Sequence, residues 1–483
     1  MPTAADLKPL VVDLLLLFSA LLVFSVDLGL PHGRKRGLGF LTALLLAGLF
    51  IVTFFVDASG AAFSGAYVGT PWATLFKRVA LAGGAIAALG AVDHVDRHYP
   101  ARQGEYYLLL LFSLTGMTLL PGARDLVMFV VCFELMGLPL AMLATWAKTD
   151  DKQGAGRWAA EAGLKLYLVS AASTAITLFG LSFVFGMTGT TSLAGIAAAP
   201  MSPLLAVGMM LTIAGMAFKV GAVPFHLWVP DTYQGAPTPF VAFLSVGPKA
   251  TGFAALAAII LIAFKGNQAQ LGSLVLLLVV ASIVVGNLMA LPQKDVKRML
   301  AFSGVAQIGY MMMGLLAGSQ LGLGMLLFYV AGYVATNMGA FLVLEAIGPG
   351  RAGVPLEELN GLWKRSPWLG LAMLLFVLSL AGIPFVVGFW AKLYVFMAVF
   401  QAGQGWLVLF GALMAIVSLW YYLQIARAVY MGEASAEQRP LSVRPALAAA
   451  IGLCLVGVVV MGAWPAPFVE SASAAAASFF DPR

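Results

Sequence analysis

The chain has 483 residues, of which 61% are hydrophobic and only 10% charged, and its mean hydropathy is +0.96. No soluble domain of that length buries so much apolar surface, so the composition excludes a water-soluble enzyme and defines a polytopic membrane protein. The net charge of +6 comes from bases in short loops and is no sign of nucleic-acid binding. Cys132 and Cys454 both fall in predicted spans and supply neither a disulfide framework nor an iron–sulfur site. His32, His94, His98 and His226 lack metal spacing, and three of the four are read as loop residues.

Apolar runs of about 20 residues predict an all-α fold with 14 transmembrane helices. Their spans are 9–30, 38–56, 72–92, 105–120, 125–146, 158–185, 203–229, 238–263, 271–291, 297–317, 322–347, 367–402, 405–430 and 443–463. The first run is span-length and is followed by Arg34-Lys35-Arg36, so it is not a cleavable signal. The longest connections are about a dozen residues, which leaves no segment for a soluble domain. Loop bases set the orientation: 17 of the 27 fall on one side, Lys152, Lys294, Lys297, Arg298 and Arg439 among them. Six fall on the other: Lys8, Lys77, Arg78, Arg124, Lys265 and Arg483. The rule that positive loops stay inside then places both termini in the periplasm.

An internal repeat is visible. Gly221-Ala222-Val223-Pro224-Phe225 resembles Ala381-Gly382-Ile383-Pro384-Phe385, and each interrupts a long apolar span. Proline removes a backbone hydrogen bond and glycine loosens the turn, so each site predicts a discontinuous helix. The breaks are five spans apart, which makes the two units inverted relative to each other. The predicted organisation is a three-helix segment 1–104, repeats 105–263 and 271–430, and a C-terminal helix and tail 431–483. Gly-Pro kinks are common in membrane helices, but a matched pair with a lysine beside each favours an ion path.

The four remaining bases, Lys165, Lys219, Lys249 and Lys392, lie inside predicted spans. A cation at mid-bilayer costs about 3 to over 10 kcal/mol, so four of them argue against a plain anchor. All four are lysine although 13 of the 27 bases are, and a desolvated lysine, unlike arginine, can release its proton near neutral pH. Glu134 is the one clear mid-span carboxylate; Asp13 and Glu345 lie nearer span ends, where a solvated role is expected. One buried acid cannot neutralise four ammonium groups, so either water fills the interior or several lysines are neutral much of the time. The plainer alternatives are a static Glu134–Lys219 ion pair and a snorkelling Lys165.

The block FKVGAVPFHLWVPDTYQGAPTPFVAFLSVGPKATGFA (218–254) resembles the signature of the antiporter-like subunits of respiratory complex I. QKDVKRMLAFSGVAQIGYMMMG (293–314), GYVATNMGAF (332–341) and LAGIPFVVGFWAKLYVF (380–396) continue the resemblance in order. Length, and the lack of a long amphipathic C-terminal helix, set the chain nearer the members without a lateral helix. The resemblance implies that Glu134 is the fifth-helix glutamate and Lys219 its broken-helix partner, with Lys165 near that pair. It makes Lys249 the central lysine and Lys392 the exit-side one. Gln307 stands where many relatives carry histidine, as a group that orders water instead of titrating. Phe385-Val386-Val387 replaces the usual Pro-Thr-Ala, which puts hydration of the second break in question.

What the resemblance implies is a proton-translocating subunit of a proton-pumping NADH–quinone oxidoreductase in a bacterial inner membrane. No cofactor is expected in this chain, with NADH, flavin, iron–sulfur clusters and quinone carried by partner subunits. The expected partners are neighbouring antiporter-like and small membrane subunits and the bilayer, with no nucleic acid. Two other readings fit the residues: a subunit of a multisubunit Na⁺/H⁺ antiporter or hydrogenase-type complex, and a non-conducting scaffold.

Overall fold

The structure, a computed structural model, describes residues 7–31, 34–148, 155–433 and 441–480. His32, Lys152, Arg439 and Arg483 lie outside the described residues. The main helices in chain order are α1 (Val11–Gly29), α2 (Gly37–Val52), α3 (Pro71–His98), α4 (Gln103–Leu119), α5 (Leu126–Ala144) and α6 (Ala155–Thr188). Next come α7 (Pro203–Val220), α8 (Trp228–Gly235), α9 (Thr238–Leu244), α10 (Gly247–Ala258), α11 (Gln268–Ala290) and α12 (Val296–Leu316). The last are α13 (Gln320–Ile347), α14 (Pro367–Ala381), α15 (Val387–Gln401), α16 (Gly405–Met431), α17 (Pro445–Ala463) and α18 (Ala466–Phe480). A small hairpin, β1 (Gly60–Ala62) with β2 (Tyr67–Gly69), folds up the connection before α3.

Helix starts follow local chemistry. Thr70, Asp125, Ser202, Asp295 and Ser319 each accept a backbone N–H in the first turn of the helix they precede. Pro71, Pro203, Pro367 and Pro445 occupy first positions, where a missing N–H costs nothing. Among the described residues, 11 helices are long and apolar enough to cross a membrane, and three shorter apolar ones join them. Each expected span has its helix, but the seventh ends early at Val220, the eighth is two pieces, α9 and α10, and the twelfth is two, α14 and α15. The sequence reading missed α18, which packs its alanine face (Ala472, Ala475, Ala476) into the bundle.

Burial sorts the helices into a centre and a rim. The most apolar stretches of α12, α13 and the α9–α10 pair are 94% buried, whereas those of α6 and α16 are only 28% buried and face outward. The centre therefore contains the helices that carry Lys249, Gln307 and Tyr333.

The two breaks are built alike. α7 ends at Gly221 with φ 80° and ψ 35°, and α14 at Gly382 with φ 85° and ψ 34°. Gly221 N–H donates to Phe218 O and Ala222 N–H to Ala217 O; Gly382 N–H donates to Ser379 O and Ile383 N–H to Leu378 O. Both are Schellman closures, which need a residue free to adopt a left-handed backbone. A third interruption was not read from the sequence: Ser245-Val246 separates α9 from α10, three residues before Lys249.

Several charged residues sit deeper than expected. Lys77 and Asp13, read as a loop base and a solvated acid, form an ion pair and are 2% and 4% exposed. Glu345, also read as solvated, is buried against His94, with Nδ1 to Oε1 at 2.7 Å. His94 and His98 belong to α3 and not to a loop. Lys297, counted among the loop bases, is fully buried in the first turn of α12 and donates to Ala236 O at 3.1 Å and Thr238 Oγ1 at 3.4 Å. Helix length accounts for Lys77, His94, His98 and Glu345: α3 and α13 are each 28 residues long, about 42 Å, so positions read as loops or span ends are inside helices that pack along their length. Lys297 is instead covered by the α8–α9 corner, and Asp13 by its pairing with Lys77.

Candidate functional site

Lys219 is in the last turn of α7, two residues before the cap at Gly221. The unpaired carbonyls there carry the negative end of the helix dipole, a favourable setting for an ammonium group. Its Nζ donates to Ser170 Oγ at 2.9 Å and lies 3.9 Å from Glu134 Oε1. Thr174 Oγ1 donates to the same carboxylate oxygen at 2.7 Å. Ser170 and Thr174 are one turn apart on α6, so a single helix face bridges the acid and the base. The sequence reading missed both hydroxyls; their four-residue spacing inside an apolar span was the available signal.

Glu134 is not the fully buried acid the sequence implied. Its side chain is 33% exposed, and α5 turns Val127, Val131, Leu138 and Met142 outward on the same side. The sequence shows that the carboxylate is mid-span but not which way the helix faces.

Lys165 has other partners. Its Nζ meets Asp231 Oδ2 at 2.6 Å and Glu161 Oε1 at 2.7 Å, and Arg298 Nη1 reaches the second Asp231 oxygen at 2.6 Å. The side chain is 40% exposed, so this is a partly solvated cluster at the end of the bundle. Asp231 was missed because it lies 66 residues from Lys165 in sequence, on the short α8 that the first break creates.

Lys249 is in the first turn of α10, fully buried, with no carboxylate within ion-pair distance among the described residues. Its Nζ donates to Tyr333 OH at 3.5 Å and lies 5.4 Å from the ring centroid of Tyr233 and 5.6 Å from that of Tyr333. Two ring faces and one hydroxyl are what this ammonium has in place of a counter-ion.

Lys392 shows what the second break is for. The closure at Gly382 leaves the Leu380 and Ala381 carbonyls without helical partners, and Lys392 Nζ takes both, at 2.9 and 3.0 Å. Gln307 Nε2 donates to the same Leu380 oxygen at 2.9 Å and to Tyr422 OH at 3.0 Å, while its Oε1 accepts from Tyr329 OH. Ser303 Oγ and Tyr422 OH are 2.6 Å apart, which extends the network along α12 toward Lys249. A small cavity touches Gln307, Tyr329, Tyr333 and Leu380. Phe385 does not plug it. That residue adopts φ 76°, and its side chain is 89% exposed, while Val386 and Val387 pack inward against Gly462 and Gly332.

A helical bundle with two half-helix breaks and a buried lysine at each has the architecture of a membrane transport subunit. Residues 123–418 match the family NADH:quinone oxidoreductase/Mrp antiporter, TM, and the chain belongs to it. NADH-quinone oxidoreductase subunit N of Moorella thermoacetica is 38% identical over 482 residues, covering 99% of this chain and 100% of that protein. A chain of respiratory complex I from Thermus thermophilus, solved with bound aureothin, is 34% identical with a TM-score of 0.81, over 96% of this chain and 99% of that one. The fold is shared with a chain of the Mrp complex from Dietzia sp. DQ12-45-1b, at 23% identity and a TM-score of 0.85, over 100% of this chain and 98% of that one.

Proposed function

We propose that this chain is the proton-translocating membrane subunit of a redox-driven NADH–quinone oxidoreductase, in a bacterial inner membrane with both termini on the periplasmic side. NADH, flavin, iron–sulfur clusters and quinone would be held by partner subunits, and none by this chain. Residues 105–263 and 271–430 would act as inverted halves, with 1–104 and 431–483 flanking them. A charge change in a neighbouring subunit weakens the Glu134–Lys219 pair. The Lys219 proton then passes to Lys249, and on by way of water ordered at Gln307 to Lys392 and out. Lys165, in its own cluster with Asp231, steadies the entrance.

The observation that carries this reading is the common construction of the two breaks. Each ends a half-helix in a Schellman closure with a lysine beside it, Lys219 held by Ser170 and Lys392 by the Leu380 and Ala381 carbonyls, and the Gln307–Tyr422–Ser303 network runs from the second break back along α12. The outward tilt of Glu134 supports the partner assignment. A carboxylate at mid-span cannot face hydrocarbon, so a neighbouring subunit covers that face of α5.

The test is Lys219→Ala in the intact complex reconstituted into vesicles. The complex should assemble, and its ratio of protons moved to electrons transferred should fall by this subunit's whole share. Loss of assembly with an unchanged ratio in the residual complex would make the pair structural. Peripheral flavin and iron–sulfur subunits should co-purify; their absence would move the chain to an ion-gradient antiporter.

A further inference from the structure

Away from the lysines, α3, α13, α17 and α18 border an open apolar groove of about 430 Å³. Gly83, Ala331, Ala335 and Gly457 leave the room for it, and Phe54, Leu453 and Phe468, each between 39% and 56% exposed, stand beside it. A second cavity of about 480 Å³ adjoins it and has a different lining, with Thr53, Asp57, Ser59, Thr70 and Thr74 supplying polar groups. Phe54, Leu75, Arg78 and Ser471 border both. The pair forms one space, apolar along the helices and polar at its end.

Arg78 stands at the junction. Its Nε donates to Thr53 Oγ1 at 3.1 Å, its Nη2 donates to Thr53 O at 2.8 Å, and the guanidinium lies 4.0 Å from the Phe54 ring centroid. Among the described residues no carboxylate pairs with it. Asp57, the acid in the polar cavity, is bound to Lys8 at 2.7 Å. The guanidinium is therefore fixed in place with donors to spare and its charge unmatched. Its depth fits the same reading. Arg78 is seven residues from Pro71, about 10 Å along a helix of about 42 Å, which overshoots a hydrocarbon core of about 30 Å at both ends. That puts the side chain close to the boundary between headgroups and acyl chains.

We propose that this space is a binding site for one phospholipid, with its phosphodiester on Arg78 and an acyl chain lying in the groove between α3 and α13. A planar guanidinium held against an aromatic ring presents paired donors to a phosphate. The groove shields the chain on several sides at once, where the open bilayer leaves it mobile. A quinone would fill the apolar part but would offer Arg78 only neutral carbonyl acceptors, leaving its charge unmatched.

The experiment uses the intact complex incubated with a phospholipid carrying a diazirine at the end of one acyl chain, photolysed and mapped by peptide. Labels should concentrate on the segments around Gly83, Ala335 and Gly457. Arg78→Gln should lower that labelling by at least about fivefold, the loss expected of a charge-assisted hydrogen bond. Arg78→Lys should restore part of it, which separates loss of the phosphate contact from local unfolding. Gly457→Phe, which fills the groove, should abolish it. Labels absent from these segments, or unchanged in Arg78→Gln and Gly457→Phe, overturn the site. An isoprenoid diazirine that labels the same segments as strongly, with no dependence on Arg78, overturns the phospholipid assignment.

Discussion

Replacing Lys392 by arginine and by methionine separates a proton carrier from a structural cation. The ammonium donates to two carbonyls that the closure at Gly382 leaves unpaired. Arginine can make both bonds, so its effect on stability should stay within about 1 kcal/mol. Methionine makes neither; Leu380 O keeps its bond from Gln307, but Ala381 O is left unsatisfied, so the loss should be about 1–3 kcal/mol. Proton release follows a different order. Reference pKa values near 10.4 for lysine and about 12.5–13.8 for arginine mean that, in one site, the neutral form of arginine is rarer by about two to three decades. A relay therefore predicts that both variants pump poorly, whereas a structural cation predicts that only methionine does. The assay pairs proton uptake by vesicles containing the intact complex with thermal unfolding of the same preparations. Parental pumping in Lys392→Arg would refute the relay role of this residue.

Gln307→His gives up one of three partners, because two ring nitrogens cannot serve Leu380 O, Tyr422 OH and Tyr329 OH together. Thermal stability should fall by about 1–3 kcal/mol while pumping stays near the parent's, and a severe pumping loss would mean the path here runs differently from that of relatives with histidine at this position. Lys165→Met should leave the proton-to-electron ratio within about twofold, since a partly exposed pair contributes about 0–1 kcal/mol and Arg298 still holds Asp231. Abolished pumping would place Lys165 in the relay itself. Lys77→Met should destabilise the chain by about 3–5 kcal/mol by stranding Asp13, whereas pairing it with Asp13→Leu should recover most of the loss, as melting of the purified complex would show.

What was legible in the sequence was whatever its local chemistry dictates. Spans follow from apolar runs, and both breaks follow from a Gly and a Pro set in the middle of one. Position around and along the helices was not legible. Lys77, Lys297 and Glu345 sit near the ends of apolar runs, and hydropathy alone assigns such residues to water. Only the packing of α3 against α13 and of α12 against the α8–α9 corner shows them buried. Asp231 is invisible as a partner because α8 exists only once the first break is made. The tail helix was missed for a different reason: ESASAAAASFF is too short to span and too polar to read as core, yet alanine is the strongest helix former.

The three lysines of the proposed relay differ in where the fold puts them on a helix, and that difference gives the relay its energy profile. Lys219 is in the last turn of α7, and Lys392 binds the last carbonyls of α14. The Lys392 ammonium meets the negative end of a helix dipole directly, and Lys219 belongs to such a helix end while its Nζ is held by Ser170 beside Glu134. Lys249 is in the first turn of α10, at the positive end, with only tyrosines about it. Its charge is the one the chain does least to balance. A proton moving inward from Lys219 therefore leaves a favourable helix end, crosses the least favourable station, and arrives at another favourable end. In the proposed relay the central lysine is then the barrier, and the pair at Glu134 is the point at which a neighbouring subunit would raise or lower the step onto it.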